Sequence, residues 1–464
     1  MIRFSGASGA HFGRSVATEG PIIHQLEIVN ETLIDNDEFE FTFDPIPDSK
    51  NQVYLLTMEA PDTPKCNGVT PWMRRLPESN ANSSCIGIND EFLEGHELRQ
   101  RLVYSPSTPV TEVPEGILLS PVSACNLNCI HCISRDTRRS LNVLSDRIRR
   151  EIAGHAEAGQ IKHIASDYSG DLFFSDKKYG WILDYLIGLN VDLWLDTHGN
   201  FMSTEIAERL IESKLKRINF SLDAATHETH ASIRRGSRPF IEVMANIIHF
   251  VSVRSRYKAR GNAVPVVTVA MTLMRRNLHE LPMLIDWASE LGADAVVARH
   301  LEAYTEDLEV ESLFFDQDRC NETVAMARAQ AKRLGLHLVA PNPFPVAKGR
   351  AGHRYCPIPW HSAVVLGNGD VMACCVPTTK MGSLNNQSLT EIWNGKLYSE
   401  LRRRVNSDDP PLVCKNCPIY RYENNPNSYL FSRIRPTLKP LHEELLEGMA
   451  KREATTSCLM AAAT

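Results

Sequence analysis

The sequence predicts an α/β chain built on repeating βα units with parallel strands, preceded by a β-containing extension and followed by a small α+β extension. Three observations predict it. From Glu115 onward, strand-like apolar runs alternate with amphipathic helical stretches. The first 110 residues instead carry strictly alternating and β-rich segments between turn formers. Seven of the twelve cysteines fall into two motif-spaced groups, one directly after the first repeating strand and one beyond residue 355.

In chain order, residues 1–110 form the N-terminal extension. Residues 38–43 alternate strictly, residues 52–57 are rich in β-formers, and Pro45, Pro47 and Asp48 provide a turn between them. Residues 61–89 are rich in Pro, Asn and Ser and are expected to be irregular. The extension has no role legible in its residues: substrate recognition, a partner surface and a lid all remain open.

In the core, residues 111–300, strands are expected at 116–120, 163–168, 191–196, 217–222, 265–271 and 294–298, with helices near 143–158, 179–188, 203–213, 239–253 and 278–291. Six βα units are too few for a closed eight-stranded barrel. In such folds ligands gather at the carboxyl ends of the strands, so the residues after each strand are the ones to inspect.

With 50 basic and 56 acidic residues the formal net charge is -6, which excludes binding to nucleic acid by bulk electrostatics. No apolar run reaches membrane-spanning length, and the first residues lack an apolar signal core. A soluble, cytoplasmic protein is expected. The grouped cysteines point to metal or cluster ligation in a reducing compartment rather than to disulfides. Cys66, Cys85, Cys320, Cys375 and Cys458 lie outside the two main ligand sets and read as small buried or tail residues, with Cys375 an alternative to its neighbour Cys374.

After the first strand, Cys125, Cys129 and Cys132 stand in C-x3-C-x2-C spacing. Three thiolates on one tight loop hold three corners of a cubane iron-sulfur cluster and leave the fourth iron without a protein ligand. This loop, with the βα series behind it, resembles the radical S-adenosylmethionine (SAM) superfamily over roughly residues 111 to 425. The resemblance implies a partial (βα)6 TIM-like barrel, a [4Fe-4S] cluster, and SAM chelated on the open iron. It also implies reductive cleavage of SAM to a 5′-deoxyadenosyl radical that takes hydrogen from a substrate, with a reductase such as flavodoxin or ferredoxin as electron donor.

The same resemblance assigns residues at the strand ends. His131 occupies the position that flanks the adenine. Ser169, Gly170 and Asp171 look like the element that holds the SAM amino group, with Asp in place of the usual Glu. Thr197 and Asn200 occupy the turn after the third strand, within reach of ribose or carboxylate. Ser221 and Asp223 are similar to the pair that bonds the ribose hydroxyls, and Arg234 or Arg235 to the group that meets the SAM carboxylate. His230 stands where the family carries an aromatic residue.

Beyond residue 301 a helix is expected near 319–334. A hairpin signal at residues 368–370, between apolar runs at 364–366 and 371–373, would return Cys374 toward Cys356. Cys414 and Cys417 complete a four-thiolate set. The arrangement is similar to the SPASM or twitch extension of radical SAM proteins, which implies one auxiliary [4Fe-4S] cluster at residues 301–425; spacing alone leaves a structural zinc site open. A C-terminal helix and tail, 426–464, follows. The function expected is a radical SAM oxidoreductase or related enzyme acting on a small polar molecule, such as a sugar or aminocyclitol, or on a peptide. The competing class is a non-catalytic iron-sulfur or zinc protein, and a cobalamin-dependent methyltransferase is disfavoured by the β-rich first 110 residues.

Overall fold

The computed structural model describes residues 110–134, 141–166, 169–344, 356–407, 409–419 and 425–462, together with strands between Ile2 and Leu98. The chain divides into two compact units, Met1–Pro109 and Val110–Thr464.

In the first unit, β1 (Ile2–Ser8) lies between β2 (Thr18–Leu26) and β3 (Tyr54–Met58) in an antiparallel sheet. β4 (Met73–Arg75) pairs with β7 (His96–Leu98), and β5 (Cys85–Ile88) with β6 (Glu91–Glu94). β3 coincides with the β-rich run at 52–57; the alternating run at 38–43 lies outside the described residues. Residues 61–89 were expected to be irregular, yet they supply β4 and β5. β5 forms by pairing antiparallel with β6, Ile88 opposite Glu91 and Cys85 opposite Glu94.

The second unit is organised on a ten-stranded sheet. Its parallel part contains β8 (Gly116–Leu119), β9 (His163–Ser166), β10 (Asp192–Thr197), β11 (Leu215–Ser221), β12 (Val266–Leu273), β13 (Ala295–His300) and β14 (His337–Val339), neighbouring one another in chain order. The first six are those expected from the sequence. β14 was not anticipated, because three residues with only partial burial carry no periodic signal.

The connecting helices are α1 (Asp146–Glu157), α2 (Leu172–Tyr179), α3 (Ile182–Gly188), α4 (Thr204–Glu212), α5 (His227–Ile233), α6 (Phe240–Ala259) and α7 (Leu281–Leu291), followed by α8 (Gln317–Leu334). Their starts follow local chemistry: Ser145 caps α1 and Ser203 caps α4 by accepting from backbone N–H groups. α1 then buries Ile148, Ile152 and Ala156, one residue per turn. The helix expected at 179–188 forms as α3, and α2 precedes it unanticipated, closed at Gly180 in a left-handed conformation. Alternate strand residues meet these helices, as in the edge-to-face contact of Phe220 with Phe250 at 5.8 Å. Each fully buried side chain of this size contributes about 1.5–3 kcal/mol.

After α9 (Ile358–His361), β15 (Ser362–Val365) adds to the sheet parallel to β8, and β16 (Asp370–Met372) and β17 (Lys380–Ser383) continue it antiparallel. The expected hairpin is therefore present, with Val364 opposite Met372. Gly369 turns it with φ +83, and a side chain there would meet Asn385 and Ile148. The helices α10 (Leu389–Trp393), α11 (Lys396–Val405), α12 (Leu412–Lys415) and α13 (Leu441–Ala462) complete the unit. No described helix is long and apolar enough to cross a membrane.

Candidate cofactor centres

The cysteine loop leaves the end of β8 and is held from two sides by backbone. Asn128 N–H donates to Arg235 O at 2.7 Å and Ile130 N–H to Ile233 O at 3.0 Å, so the end of α5 fixes its far side. Asp171 N–H donates to Ala124 O at 2.8 Å on the near side. A side chain on Gly170 would stand 2.6 Å from Ala124 O, so only glycine lets this turn reach the loop. Leu127 N–H points at Cys125 Sγ at 3.4 Å, and backbone donors of this kind stabilise a thiolate.

Asp223 and Arg234 form the electrostatic centre beside the loop. Arg234 Nη2 lies 2.7 Å from Asp223 Oδ2, and its Nη1 lies 4.0 Å from Cys129 Sγ. Both side chains are buried. Burial would raise the Asp223 carboxyl, but Arg234, His131 and the Thr272 N–H together hold it below its usual range. Burial would likewise lower Arg234, and Asp223, Cys129 and Cys125 outweigh it. The cation is thus shared between a carboxylate and two cysteine sulfurs. His131 Nε2 lies 3.4 Å from Asp223, and burial keeps its ring neutral.

The Asp223 backbone is left-handed, φ +60, a conformation that Asp and Asn tolerate. It is held there by two buried residues of the turn after β12. Asn277 Nδ2 donates to Asp223 O at 2.8 Å, and Glu280 accepts from Ala225 N–H at 2.6 Å and Thr226 N–H at 3.1 Å. Replacing Asp223 by Asn keeps this backbone but leaves Arg234 buried without its counter-ion. The expected cost is about 3–5 kcal/mol, measured as a lowered denaturant midpoint with unchanged slope.

A second network spans the ends of β9 and β10. Asp171 caps α2 through Phe174 N–H at 3.0 Å, while its other oxygen accepts from Thr197 Oγ1 at 2.8 Å and His198 N–H at 3.1 Å. Its carboxylate is therefore engaged by the protein's own donors, and it braces the turn 169–171 against the cysteine loop. Asn200 accepts from Ser237 Oγ and Arg238 N–H, at 3.1 and 3.0 Å, joining this turn to the segment after α5. Ser221 ends β11, two residues before Asp223.

His198, like Asn277 and Glu280, is a residue that sequence reasoning missed. It is buried; Nδ1 lies 3.1 Å from Asn200 N–H, which makes that nitrogen the acceptor and leaves Nε2–H to donate to Asn126 Oδ1 at 3.0 Å. One imidazole thus connects the cysteine loop to the turn after β10. A histidine among turn residues gives no periodic signal. His230, in contrast, packs on Phe240 with ring centres 5.0 Å apart and is pushed down to about 4 by burial and Arg234.

The second cysteine group is drawn together at the opposite end of the adjacent strand. Cys356 precedes β15 and Cys374 follows β16, so both stand at one end of the hairpin, while Cys125 follows the other end of the neighbouring β8. Four strand residues at 3.3 Å each separate the two ends by roughly 13 Å, so these are two centres. Burial first, with Cys417 also raising them, pushes the Cys356 and Cys374 thiols up to about 12. Burial raises Cys414 well above its usual value, with Cys374, Cys356 and Cys417 next in effect. The half-buried Cys375 thiol is raised too, by desolvation first and then by Cys374 and by Glu302 from the loop after β13.

Backbone clamps hold these thiols. Cys356 N–H donates to Asn406 Oδ1 at 2.7 Å, and Asn416, between Cys414 and Cys417, accepts from Asn425 and Asn427 at 3.0 and 3.2 Å. Among the described residues no three ligand side chains converge on a single ion. A cubane needs its sulfurs spread over separate irons rather than gathered at one point.

The donors fit iron-sulfur clusters. Buried thiols that raise one another lose their protons only to a cationic centre. At the first site, a guanidinium already faces the sulfurs. His131 Nδ1 and Arg234 Nε are buried without hydrogen-bond partners among the described residues, the condition that a polar cofactor lying against the loop would relieve.

Comparison with known proteins agrees with this chemistry. Residues 119–288 match the radical SAM superfamily, and residues 356–418 match SPASM, an iron-sulfur cluster-binding domain. The mycofactocin maturase MftC of Mycobacterium tuberculosis is 27% identical over 176 residues, 38% of this chain and 42% of its own length. The chain thus spans about two fifths of that relative. The AdoMet-dependent heme synthase of Methanosarcina barkeri is 24% identical over 68% of this chain and 90% of its own. Among solved structures, Streptococcus suis SuiB bound to S-adenosylmethionine aligns with TM-score 0.50 at 17% identity, covering 64% of this chain and 70% of SuiB. SuiB bound to its precursor peptide SuiA aligns with TM-score 0.50 at 16% identity, over 64% of this chain and 69% of that one. At such identities the structural likeness concerns the fold.

Proposed function

The chain is a radical SAM protein with a C-terminal SPASM domain, and on that premise we propose that it cleaves S-adenosylmethionine reductively and removes hydrogen from a peptide substrate. The observation that carries this reading is the three-cysteine loop with the Asp223–Arg234 pair at its side. Residues 111–300 act as the core, 301–425 as the auxiliary-cluster domain and 426–464 as a closing helix and tail. The sequence left a small polar metabolite open beside a peptide; the maturase relative and the peptide-bound SuiB favour the peptide. The broader match to the heme synthase favours, as a second reading, a larger non-peptide substrate.

Cys125, Cys129 and Cys132 would hold the first [4Fe-4S] cluster, which when bound would supply the single electron for breaking the carbon–sulfur bond of SAM to methionine and a 5′-deoxyadenosyl radical. Arg234, fixed by Asp223, presents its charge to the sulfurs and to the SAM carboxylate. Gly170 and Asp171 shape the backbone turn that receives the ammonium; Thr197 and Asn200 hold the neighbouring turn, and Ser221 and Asp223 border the ribose. His131, kept neutral, flanks the adenine. The buried walls keep water from the radical. Cys356, Cys374, Cys414 and Cys417 would hold the auxiliary cluster, which would supply an electron acceptor for a net oxidation. A reductant such as flavodoxin or ferredoxin would supply the first electron.

The test is anaerobic reconstitution with iron and sulfide, followed by dithionite and SAM. Formation of 5′-deoxyadenosine in step with methionine is the expected result. Its absence, with or without added peptide, would sink the proposal in favour of a non-catalytic cluster or zinc protein. If cleavage occurs, the acceleration of 5′-deoxyadenosine formation by peptide fractions, rather than by tetrapyrroles, separates the two substrate readings.

A further inference from the structure

The strand end that carries Cys374 is closed by a strained turn. Ala373 N–H donates to Thr379 O at 2.8 Å, which folds residues 374–378 into a loop on Cys374. Within it Thr378 has φ +74, a left-handed conformation that is costly for a β-branched residue, and its hydroxyl oxygen is buried without a hydrogen bond among the described residues. The strain is held from outside the loop: Leu441 N–H, at the start of α13, donates to Thr378 O at 2.8 Å. Strain of this kind persists only where the surroundings over-determine it, and it clusters at functional sites. What it positions here is the next residue.

Thr379 is buried, and its Oγ1 lies 4.0 Å from Cys374 Sγ. Its one hydrogen is given to Val376 O at 2.8 Å and Cys374 O at 3.1 Å, while the oxygen faces the Cys374 thiol as an acceptor. Ligation would reverse that contact, because a metal-bound cysteine has lost its proton. The sulfur is then a charged acceptor, to which a hydroxyl donates more strongly than to a neutral carbonyl, and the hydroxyl hydrogen turns about its C–O bond to suit. The hairpin end is fixed in advance by α11, one residue per turn. Tyr398 Oη donates to Met372 O at 3.4 Å and Arg402 Nε–H to Pro359 O at 2.8 Å, and the cap residue Asn406 accepts from Cys356 N–H at 2.7 Å.

We propose that Thr379 is a positioning residue of the auxiliary centre, whose hydroxyl donates to the cluster-bound sulfur of Cys374 and raises the reduction potential of that centre. A donor to a ligand sulfur offsets the charge added on reduction, so the reduced state is favoured. A higher potential suits an acceptor of the electron left on the substrate by hydrogen removal. The assignment therefore deepens the proposed oxidation, and it rests on the auxiliary-cluster reading.

The test is a potentiometric titration followed by magnetic resonance on reconstituted full-length protein, in the Cys125→Ala, Cys129→Ala, Cys132→Ala background so that the auxiliary centre alone reports. Thr379→Val, which keeps the shape and removes the hydroxyl, is expected to lower the midpoint potential while about four irons per chain are retained. Thr379→Ser, which keeps the hydroxyl, is expected to hold the potential of the background protein. Equal potentials in Thr379→Val and the background protein, or an equal shift in Thr379→Val and Thr379→Ser, would overturn the assignment. Where Thr379→Val loads no iron, Thr379→Ala takes its place; failure of both to load would make the residue a structural one and overturn the assignment too. A background protein whose second centre takes zinc and no iron removes the auxiliary-cluster reading instead.

Discussion

Replacing Cys125, Cys129 and Cys132 together by alanine is expected to abolish 5′-deoxyadenosine formation and to remove about four irons per chain. On the proposed reading the effect is total, because these three thiols are the whole protein ligand set of a cubane with one open iron. The fold should survive it. The loop is held by Asn128 N–H on Arg235 O, Ile130 N–H on Ile233 O and Asp171 N–H on Ala124 O, none of which involves a thiol. Circular dichroism and the thermal midpoint of the unloaded proteins should therefore differ little. Unchanged SAM cleavage in the triple variant would mean that the chemistry resides elsewhere.

Replacing Cys414 and Cys417 by alanine is expected to do the converse. The two centres stand beyond opposite ends of the neighbouring strands β8 and β15, so losing the second leaves the first intact. Iron content should again fall by about four per chain, while SAM cleavage without substrate stays within about threefold of wild type. Substrate oxidation should stop. The segment between Asn406 and Asn427 should become sensitive to protease, because ligand binding and local folding are linked at such sites. The partly buried thiols of Cys356 and Cys374 would remain neutral, which costs far less than stranding a charge. Loss of SAM cleavage equal to that of the triple variant would show the centres to be interdependent.

The fold was legible where period and spacing are strong. All six expected core strands form, since runs such as that containing Val267 and Val269 are apolar on the helix-facing side and bounded by turn residues. The hairpin of β15 and β16 follows from Gly369, and the family resemblance from the cysteine spacing together with the strand-end residues. What escaped was set by tertiary contacts. α2 begins at a cap, Asp171, that reads equally as a turn or a ligand residue. β14 exists by pairing with β13, and β5, inside a Pro-, Asn- and Ser-rich segment, by pairing with β6.

The first centre was legible as a roster rather than as a network. The chain order put His131, Asp171, Asp223 and Arg234 after strands, but could not show that Asp223 pairs with Arg234 while Asp171 serves Thr197 and His198. Those pairings depend on how neighbouring strand ends are brought side by side. His198, Asn277 and Glu280 escaped for the same reason: each is an ordinary polar residue in sequence, and only burial against a backbone turn gives it a positioning role.

The most direct test of the open iron is magnetic resonance on the reduced first cluster, in the Cys414→Ala, Cys417→Ala variant to remove the second signal, with SAM labelled at its amino nitrogen and carboxylate oxygens. The prediction is a changed g-tensor on adding SAM, with hyperfine coupling from both labels. A spectrum indifferent to SAM, or a cluster with four protein ligands, would contradict it.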